Sequence, residues 1–445
     1  MRDLTEGKEG KLILNFALPM LLGNVFQQMY NVVDSIIIGR VLGKEALAAV
    51  GASFPLIFAL ISFVVGIAMG STIIIAQYFG AKKMDMVRKT IDTLYVFMFF
   101  ASIVLMFVGI FSSKYVFRLI SLPEEVIPLA VNYFSIYSLG FLFFFGFQGT
   151  SAILRGLGDS RTPVYFLVAS TIINIALDLL FVMGFGWGVR GVAAATIIAQ
   201  AGAFFTIVIY INKYHSFLDF SPLKMKFDRA IFRKSLKIGL PSGVQNTVVS
   251  IGFLALYSIV NMFGTPTVAA YSIAMRIDSF AVLPAMNFSA AITTFTGQNI
   301  GANKMMRLSR GLKSTLRMMT IVSVSITTLA VIFATPIINL FTTDQEVIHI
   351  GKDYLYIVSP FYVVFAAMFI FMGLFRGAGD TVTSMFVTII TLWIIRIPAS
   401  YLLSVKFGAI GIWWGIPIAW VIGLTISFIY YKTGRWRRKA VVRSG

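Results

Sequence analysis

The sequence contains no cysteine and only two histidines, His215 and His349, among 445 residues. Without cysteine the chain can form neither a disulfide nor a zinc–thiolate site. Both histidines fall in predicted loops, which argues against a histidine proton relay inside a membrane. Charged residues are also scarce, at 12% of the chain, whereas soluble proteins carry about a quarter.

Apolar residues are correspondingly abundant, at 58% of the chain with a mean hydropathy of +0.87. Since a soluble core could not hold them all, the excess is expected to face lipid. A helix that spans a bilayer needs about 20 mainly apolar residues. On that basis the sequence predicts twelve helices, over 12–38, 47–78, 91–112, 128–154, 163–186, 190–212, 235–262, 267–298, 312–335, 354–375, 382–405 and 409–431.

The formal net charge of +19 invites a nucleic-acid interpretation, but the basic residues lie in short loops between apolar runs. Of the 37 Lys and Arg residues, 28 fall on one side of the predicted membrane and 7 on the other. By the positive-inside rule, both ends of the chain are expected in the cytoplasm. The sequence thus predicts a multi-pass protein of the plasma (inner) membrane, with the bilayer and no nucleic acid as a partner.

Two motifs repeat with an offset of 221 residues. Segment 75–83 (IAQYFGAKK) matches 296–304 (TGQNIGANK), and 154–159 (LRGLGD) matches 375–380 (FRGAGD). Six helices per half preserve orientation, which indicates a parallel repeat about an axis along the membrane normal. The predicted domains are a six-helix bundle over 1–212, a cytoplasmic linker over 213–234 and a second bundle with a basic tail over 235–445, with a cleft between the bundles.

The linker is expected to be extended at Ser221 and Pro222 and then to form a short amphipathic helix capped by Asp228. The two Arg-Gly-x-Gly-Asp motifs, 155–159 and 376–380, are typical of glycine turns with salt bridges on cytoplasmic loops. A phosphate-binding loop is disfavoured because they lack its spacing and no strand precedes them.

Few ionisable residues fall within predicted helices, and each is a functional candidate because a charge in lipid is costly. Asp34 ends a polar stripe on the first helix that includes Gln27 and Asn31. The fifth helix carries a matching stripe with Asn174 and Asp178 one turn apart. These side chains, with Thr196 on the sixth helix, are expected at a similar depth in the outer half of the first bundle.

Three interpretations of this group remain open. Its hard oxygens suit a small cation such as Na⁺. Alternatively, two close carboxylates could share and exchange protons. In the third, each aspartate only satisfies a buried neighbour by hydrogen bonding.

The second half has a different set of ionisable groups. Arg276 and Asp278 are two residues apart and point to different sides of the eighth helix, so they do not pair with each other. A structural ion pair between Asp278 and either Arg276 or Arg396 explains these residues at least as well as a role in transport. Taken over both halves, the candidates for a substrate cleft are Gln27, Asn31, Gln245, Asn246, Arg276, Asp278 and Met286.

The chain resembles the multidrug and toxic compound extrusion (MATE) family over nearly its whole length. The resemblance rests on twelve helices arranged as six plus six, on Pro19 and Pro241 in the first and seventh helices, and on the two repeated motifs. It implies a V-shaped pair of bundles and antiport of cationic amphiphilic compounds against Na⁺ or H⁺. It also implies a cation or proton site in the first bundle at Asp34, Asn174, Asp178 and Thr196.

The sequence departs from one branch of that family, which carries a Glu on helix 7 and an Asp on helix 10. Here helix 7 has Gln245 and Asn246, and no acid lies between Tyr362 and Phe375. Coupling is therefore expected through the first bundle alone, with ion binding acting on the packing of the first helix near Pro19. No cofactor is expected, and a monomer is the simplest assembly.

Two other functions compete with this one. A flippase for lipid-linked oligosaccharides would need several intramembrane cations, and only Arg276 and Arg396 are in predicted helices. An intramembrane enzyme would use Asp34 and Asp178 as an acid–base pair, but the internal repeat argues against it. The chain is therefore predicted not to be an enzyme.

Overall fold

The computed structural model describes residues 2–214 and 220–442, and within these ranges it is helical and contains no β-strand. Eleven of the helices are long and apolar enough to cross a membrane, and a pair bent by 50° at Gly140 can serve as a twelfth span. The all-α membrane fold predicted from the sequence is therefore confirmed. In chain order the helices are α1 (Glu9–Leu42), α2 (Lys44–Gly80), α3 (Met84–Leu119), α4 (Ile127–Leu139), α5 (Phe141–Gly156), α6 (Arg161–Gly184), α7 (Gly188–Tyr214), α8 (Arg229–Asn261), α9 (Thr265–Gly301), α10 (Met305–Ile332), α11 (Ala334–Asn339), α12 (Gln345–Gly377), α13 (Thr381–Phe407) and α14 (Ala409–Thr433).

Several helices are longer than the apolar runs that predict them. α12 begins at Gln345 rather than near 354, because Asp344 caps it by accepting hydrogen bonds from the backbone amides of Glu346 and Val347. The predicted loop position of His349 is therefore wrong. Its imidazole lies 3.4 Å from the carboxylate of Asp353, one turn along α12. His215 lies outside the described residues.

The linker between the halves is also partly helical. Asp228 accepts hydrogen bonds from the backbone amides of Ala230 and Ile231, at 2.8 and 2.9 Å, which confirms it as a helix cap. A separate short helix was the wrong expectation, because α8 continues from Arg229 through Pro241 to Asn261 without a break. A helix in lipid tolerates such a proline when neighbouring groups satisfy the freed carbonyl.

The internal repeat is visible in matching hydrogen bonds. The hydroxyl of Thr72 on α2 donates to the carbonyl of Ala152 on α5, at 3.0 Å. In the second half, the hydroxyl of Thr293 on α9 donates to the carbonyl of Gly373 on α12, at 2.9 Å. Because both pairs occupy equivalent sequence positions, the two halves use the same helix-to-helix register at this point.

Both Arg-Gly-x-Gly-Asp motifs form turns, as predicted, and Gly158 and Gly379 have positive φ angles of 84° and 92°. Asp159 and Asp380 then accept hydrogen bonds from the first turn of the following helix. The predicted salt bridges are absent from the described part of the chain. Arg155 lies in the last turn of α5 and forms no ion pair in that part of the chain.

The chain forms two compact units. The first consists mainly of Leu18–Ile75 and Lys83–Leu240, and the second of Asp3–Ala17, Ala76–Lys82 and the chain from Pro241 onward. In the first unit, α7 packs against α4, α5 and α6; in the second, α12 packs against α9, α10 and α14. Bundle boundaries at 212 and 235 stay a prediction.

Candidate functional site

Asp34 lies near the C-terminal end of α1, just before a π-helical turn over Ile38–Leu42. Its side chain is buried, and its Oδ1 atom has no hydrogen-bond partner among the described residues. π-Helical turns in α-helices are frequent at functional sites, since they redirect side chains. A buried carboxylate oxygen without a donor is costly unless a proton or a cation binds it.

Asn174 and Asp178 lie one turn apart on α6 and are both buried. Asp178 is fully inaccessible, and in the described structure neither of its carboxylate oxygens accepts a hydrogen bond. The side-chain nitrogen of Asn174 also lacks an acceptor there. As with Asp34, a π-helical turn, Leu180–Gly184, follows directly.

These residues from α1 and α6 come together in the first unit. The carboxylates of Asp34 and Asp178 are close enough for their charges to interact. Thr196 on α7 is linked to these aspartates through Tyr30. The hydroxyl of Tyr30 is hydrogen-bonded to Thr196 and interacts electrostatically with both aspartates. We call Tyr30, Asp34, Asn174, Asp178 and Thr196 the carboxylate cluster.

The sequence reasoning missed Tyr30 as a member of the cluster. It also missed two tyrosines on α4 that lie next to the cluster. Tyr133 and Tyr137 are one turn apart and fully or largely buried, and Tyr133 interacts electrostatically with both aspartates. The signal was present in the sequence, since Tyr30 is four residues before Asp34 and so lies on the same face of α1. The predicted polar stripe of α1 consists of amide, hydroxyl and carboxylate side chains and leaves out this tyrosine, although Asn31 directly follows it.

The cluster offers two carboxylates with neutral amide and hydroxyl oxygens. Among the described residues, no three of His, Cys, Asp and Glu converge as a metal site. A cation here would thus meet two negative charges at most. This donor set suits a monovalent cation or protons on the carboxylates.

A cavity of about 260 Å³, lined by both polar and apolar side chains, lies beside the cluster in the first unit. It is lined by Ser170 on α6 and Gln200 on α7, which are one turn from Asn174 and Thr196 respectively. Gln27, a predicted cleft residue, also lines it, whereas Asn31 donates a hydrogen bond to the side chain of Gln28 at 3.3 Å. The cavity and the carboxylate cluster therefore share the same faces of α6 and α7.

In the second unit the predicted cleft residues are dispersed. Gln245 is buried and donates a hydrogen bond to Thr388 at 2.6 Å, while Asn246 and Met286 are exposed. Arg276 is also exposed, and its guanidinium lies 6.0 Å from the ring centre of Phe341. The structure gives these four residues no common site within the described part of the unit.

Asp278 is buried, and both of its carboxylate oxygens have tyrosine hydrogen-bond donors. The hydroxyls of Tyr354 and Tyr362 on α12 donate to its two carboxylate oxygens. Arg396 on α13 influences this carboxylate only at longer range, and its guanidinium lies 5.7 Å from the ring centre of Phe253. The predicted Arg–Asp ion pair is therefore not formed among the described residues. Both carboxylate oxygens of Asp278 thus have hydrogen-bond donors without the arginine.

Comparison with known families gives a double match. The MatE family model matches the chain over residues 19–180 and again over 241–402. Because one model fits both halves, the match confirms the internal repeat. The second half of each matched segment includes the region of one repeated Arg-Gly-x-Gly-Asp motif.

Two relatives cover nearly the whole chain. The probable multidrug resistance protein YoeA of Bacillus subtilis is 33% identical, over 96% of this chain and 94% of its own. A FAD transporter of Shewanella oneidensis is 24% identical, over 92% and 91% respectively. A solved structure, the Vibrio cholerae MATE transporter VcmN in the bent form, is similar with a TM-score of 0.91, covering 97% of this chain and 98% of that chain at 20% identity. At that identity the structural likeness concerns the fold.

Proposed function

The chain belongs to the MATE family, and we propose that it is a secondary active antiporter that exports cationic amphiphilic compounds in exchange for Na⁺ or H⁺. Its family and its relatives support a membrane transporter for multidrug efflux. The observation that carries the finer proposal is the carboxylate cluster. Three carboxylate oxygens of Asp34 and Asp178 are buried there without a hydrogen-bond partner in the described structure.

The cluster can couple an ion to a change of state. Two interacting carboxylates in a low-dielectric site repel each other, so binding of a proton or Na⁺ stabilises the arrangement that brings them together. Asp34 lies on α1, which also contains Pro19. A proline inside a helix removes one backbone hydrogen bond and permits a bend. Ion binding is thereby expected to select one bend of α1.

Exchange follows if ion and drug prefer different states. A ligand shifts a two-state equilibrium only by its difference in affinity for the two states. We propose that the ion favours the state with a compact carboxylate cluster and that the drug favours the other. We also propose that the protein is a monomer in the inner membrane. Both ends of the chain are then in the cytoplasm, which the distribution of basic residues supports.

The test is accumulation of a cationic dye, ethidium, in vesicles that contain the purified protein. A Na⁺ gradient alone and a pH gradient alone are applied in turn to the wild type and to Asp178→Asn. The variant should lose at least about 90% of gradient-driven transport. With one of the two negative charges removed, the cluster no longer attracts the coupling ion strongly enough to bind it. The gradient that drives the wild type identifies the ion.

Asp85→Asn is the matched control, since Asp85 is exposed in the first turn of α3 and should transport like the wild type. Full gradient-driven transport by Asp178→Asn would refute coupling through the cluster. Absence of dye transport by the wild type under either gradient would refute the exporter itself.

The flippase remains the alternative. Several arginines around one cavity would favour it, but the cavity beside the cluster is lined by one arginine, Arg155. Arg276 and Arg396 lie in the second unit, where they contact aromatic rings. A pyrophosphate needs more cationic donors than this single side chain gives.

A further inference from the structure

An aromatic groove of about 410 Å³ lies along α3 in the first unit. It is bounded by α3, α5, α7 and the linker segment 220–225, and it shares no lining residue with the cavity beside the carboxylate cluster. Tyr95 and Phe99 on α3, Phe204 on α7 and Phe220 contribute rings to its walls. No charged side chain is among the described residues that line it. The aromatic groove therefore suits an apolar ligand of moderate size.

The linker encloses this groove on one side. The ring of Phe220 lies edge-on to that of Tyr95, with the ring centres 4.8 Å apart. The backbone amide of Phe220 donates a hydrogen bond to the side chain of Asn212 at 2.8 Å, and that of Asp228 donates to the hydroxyl of Thr93 at 3.1 Å. Because these contacts hold the linker against α3 and α7, the groove is a formed pocket and not an open stretch of lipid-facing surface.

The internal repeat shows that the fold does not impose this aromatic lining. α3 and α10 begin at Met84 and Met305, which are separated by the offset of the repeat. At that offset three rings of the groove have no aromatic counterpart, since Tyr95, Phe99 and Phe100 correspond to Leu316, Thr320 and Ile321. On α5, a Cβ added to Gly146 would lie 2.7 Å from the ring of Phe204, and the equivalent residue in the second half is Ala367. The glycine thus leaves room for a ring that only the first half places there.

Basic side chains lie at the linker end of the groove. Met225 lines the groove, and Lys224 and Lys226 on either side of it in the chain are exposed. Neither lysine forms an ion pair within the described residues. The backbone amide of Lys226 is hydrogen-bonded to Asp92, whose carboxylate already pairs with Arg88 at 3.1 Å. The two ammonium groups are therefore available to an anion.

The groove continues from this basic end into the apolar part of α3. Phe100 lies eight residues beyond Asp92, which is about 12 Å along the helix axis. The rings of Phe100 and Phe205 are 61% and 53% exposed, so the deep end opens toward lipid. A ligand that matches both ends has a negative head and an apolar tail. A cationic amphiphile matches the apolar part only, because the lysines repel its charge.

From this arrangement we propose that the aromatic groove binds one acyl chain of an anionic phospholipid, with the phosphate of the headgroup on Lys224 and Lys226. Burial of the methylene groups supplies affinity, and the lysines supply the preference for a negative headgroup. The basic end lies on the side of the membrane that we propose is cytoplasmic, where anionic lipids give the leaflet a negative surface potential. The inference is independent of the proposed export function.

The test is native mass spectrometry of the purified full-length protein in detergent, titrated with phosphatidylglycerol or with phosphatidylcholine of the same acyl chains. The wild type should bind one phosphatidylglycerol at least about 10-fold more tightly than phosphatidylcholine. In the double variant Lys224→Gln/Lys226→Gln, binding of phosphatidylglycerol should weaken by about 10- to 30-fold, because two cations near the headgroup are lost. Binding of phosphatidylcholine should change by less than about two-fold.

The matched control for the charges is Lys313→Gln/Arg317→Gln. It removes two exposed basic side chains from α10, the repeat equivalent of α3, where the groove rings have no aromatic counterpart. This control should bind both lipids like the wild type.

A second pair of variants tests occupation of the groove itself. Val96 is half-buried and lines the groove, so the indole in Val96→Trp should fill it and weaken binding of both lipids by at least about 10-fold. Val104→Trp is the control, because Val104 lies about two turns further along α3, is 58% exposed and does not line the groove. Size-exclusion chromatography checks that each variant is folded.

Several outcomes would overturn the proposal. These are equal affinity of the wild type for the two lipids, an equal loss of phosphatidylglycerol binding in the linker and α10 double variants, and unchanged binding in Val96→Trp. Transport of ethidium under an ion gradient is a separate measurement. Its failure would count against the export function and leave the lipid site in place.

Discussion

At the scale of single residues, Tyr30 is the contact between α1 and α7 in the carboxylate cluster. Its hydroxyl is hydrogen-bonded to Thr196, whose own hydroxyl donates to the carbonyl of Val192 at 3.0 Å. In Tyr30→Phe the ring remains, but the hydrogen bond between the hydroxyls of Tyr30 and Thr196 is lost. A neutral hydrogen bond contributes about 1 kcal/mol, so the apparent affinity for the coupling ion should fall about five-fold. The measurement is the ion concentration that gives half-maximal dye exchange in vesicles.

The control for this prediction is Tyr115→Phe on α3, since the Tyr115 side chain is 72% exposed. It should leave the half-maximal ion concentration unchanged. If Tyr30→Phe lowers the maximal exchange rate and leaves the half-maximal concentration as in the wild type, Tyr30 acts on the change of state and not on ion binding.

At the scale of helices, the ends of α2 and α9 approach each other within the second unit at their glycines. A Cβ added to Gly80 would overlap the backbone oxygen of Gln298, and one added to Gly301 would overlap that of Gln77. Neither helix backbone can give way without moving the other. Gly80→Ala should therefore lower the free energy of unfolding by about 3 kcal/mol or more, and reduce the yield of folded protein. Thermal unfolding followed by size-exclusion chromatography checks this.

Gly51 on the same helix is the matched control, because no atom lies within 4 Å of a Cβ added there. Gly51→Ala should stabilise α2 slightly, by up to about 1 kcal/mol, since alanine favours helix more than glycine. Similar unfolding temperatures for the two variants would show that the approach of α2 and α9 does not limit stability.

The same helices show what the sequence could predict. The offset between Gln77…Gly80 and Gln298…Gly301 identified the repeat, because equivalent residues meet equivalent constraints in both halves. Which atoms these glycines approach could not be predicted, since the contact joins residues more than 200 positions apart. Periodicity likewise found Asp34 and Asp178, but it gave no reason to separate Arg155 from Arg376. The guanidinium of Arg376 donates a hydrogen bond to Ser289 on α9, whereas the equivalent position on α2 is Ala68, whose side chain has no acceptor.

At the scale of the whole molecule, the repeated glutamines hold the segments that flank the helices. Within the second unit, the side-chain oxygen of Gln298 accepts a hydrogen bond from the backbone amide of Leu4 at 2.9 Å. The side-chain oxygen of Gln77 accepts one from Val441 at 2.7 Å, and its nitrogen donates to the carbonyl of Gly377 at 2.9 Å. Equivalent residues of the repeat thus secure the segment before α1 and the segment after α14.

Each glutamine should release only its own segment when it is changed. Gln298→Ala should increase amide hydrogen exchange at Leu4 and Thr5 by about five-fold or more, because a buried backbone amide loses its acceptor. Gln77→Ala should do the same at Val441 and Val442, with residues 4 and 5 unchanged. Hydrogen exchange with mass spectrometry of the purified protein measures both segments together. Faster exchange of both segments in either single variant would mean that the segments depend on the integrity of the α2–α9 contact as a whole, and not on the individual glutamines.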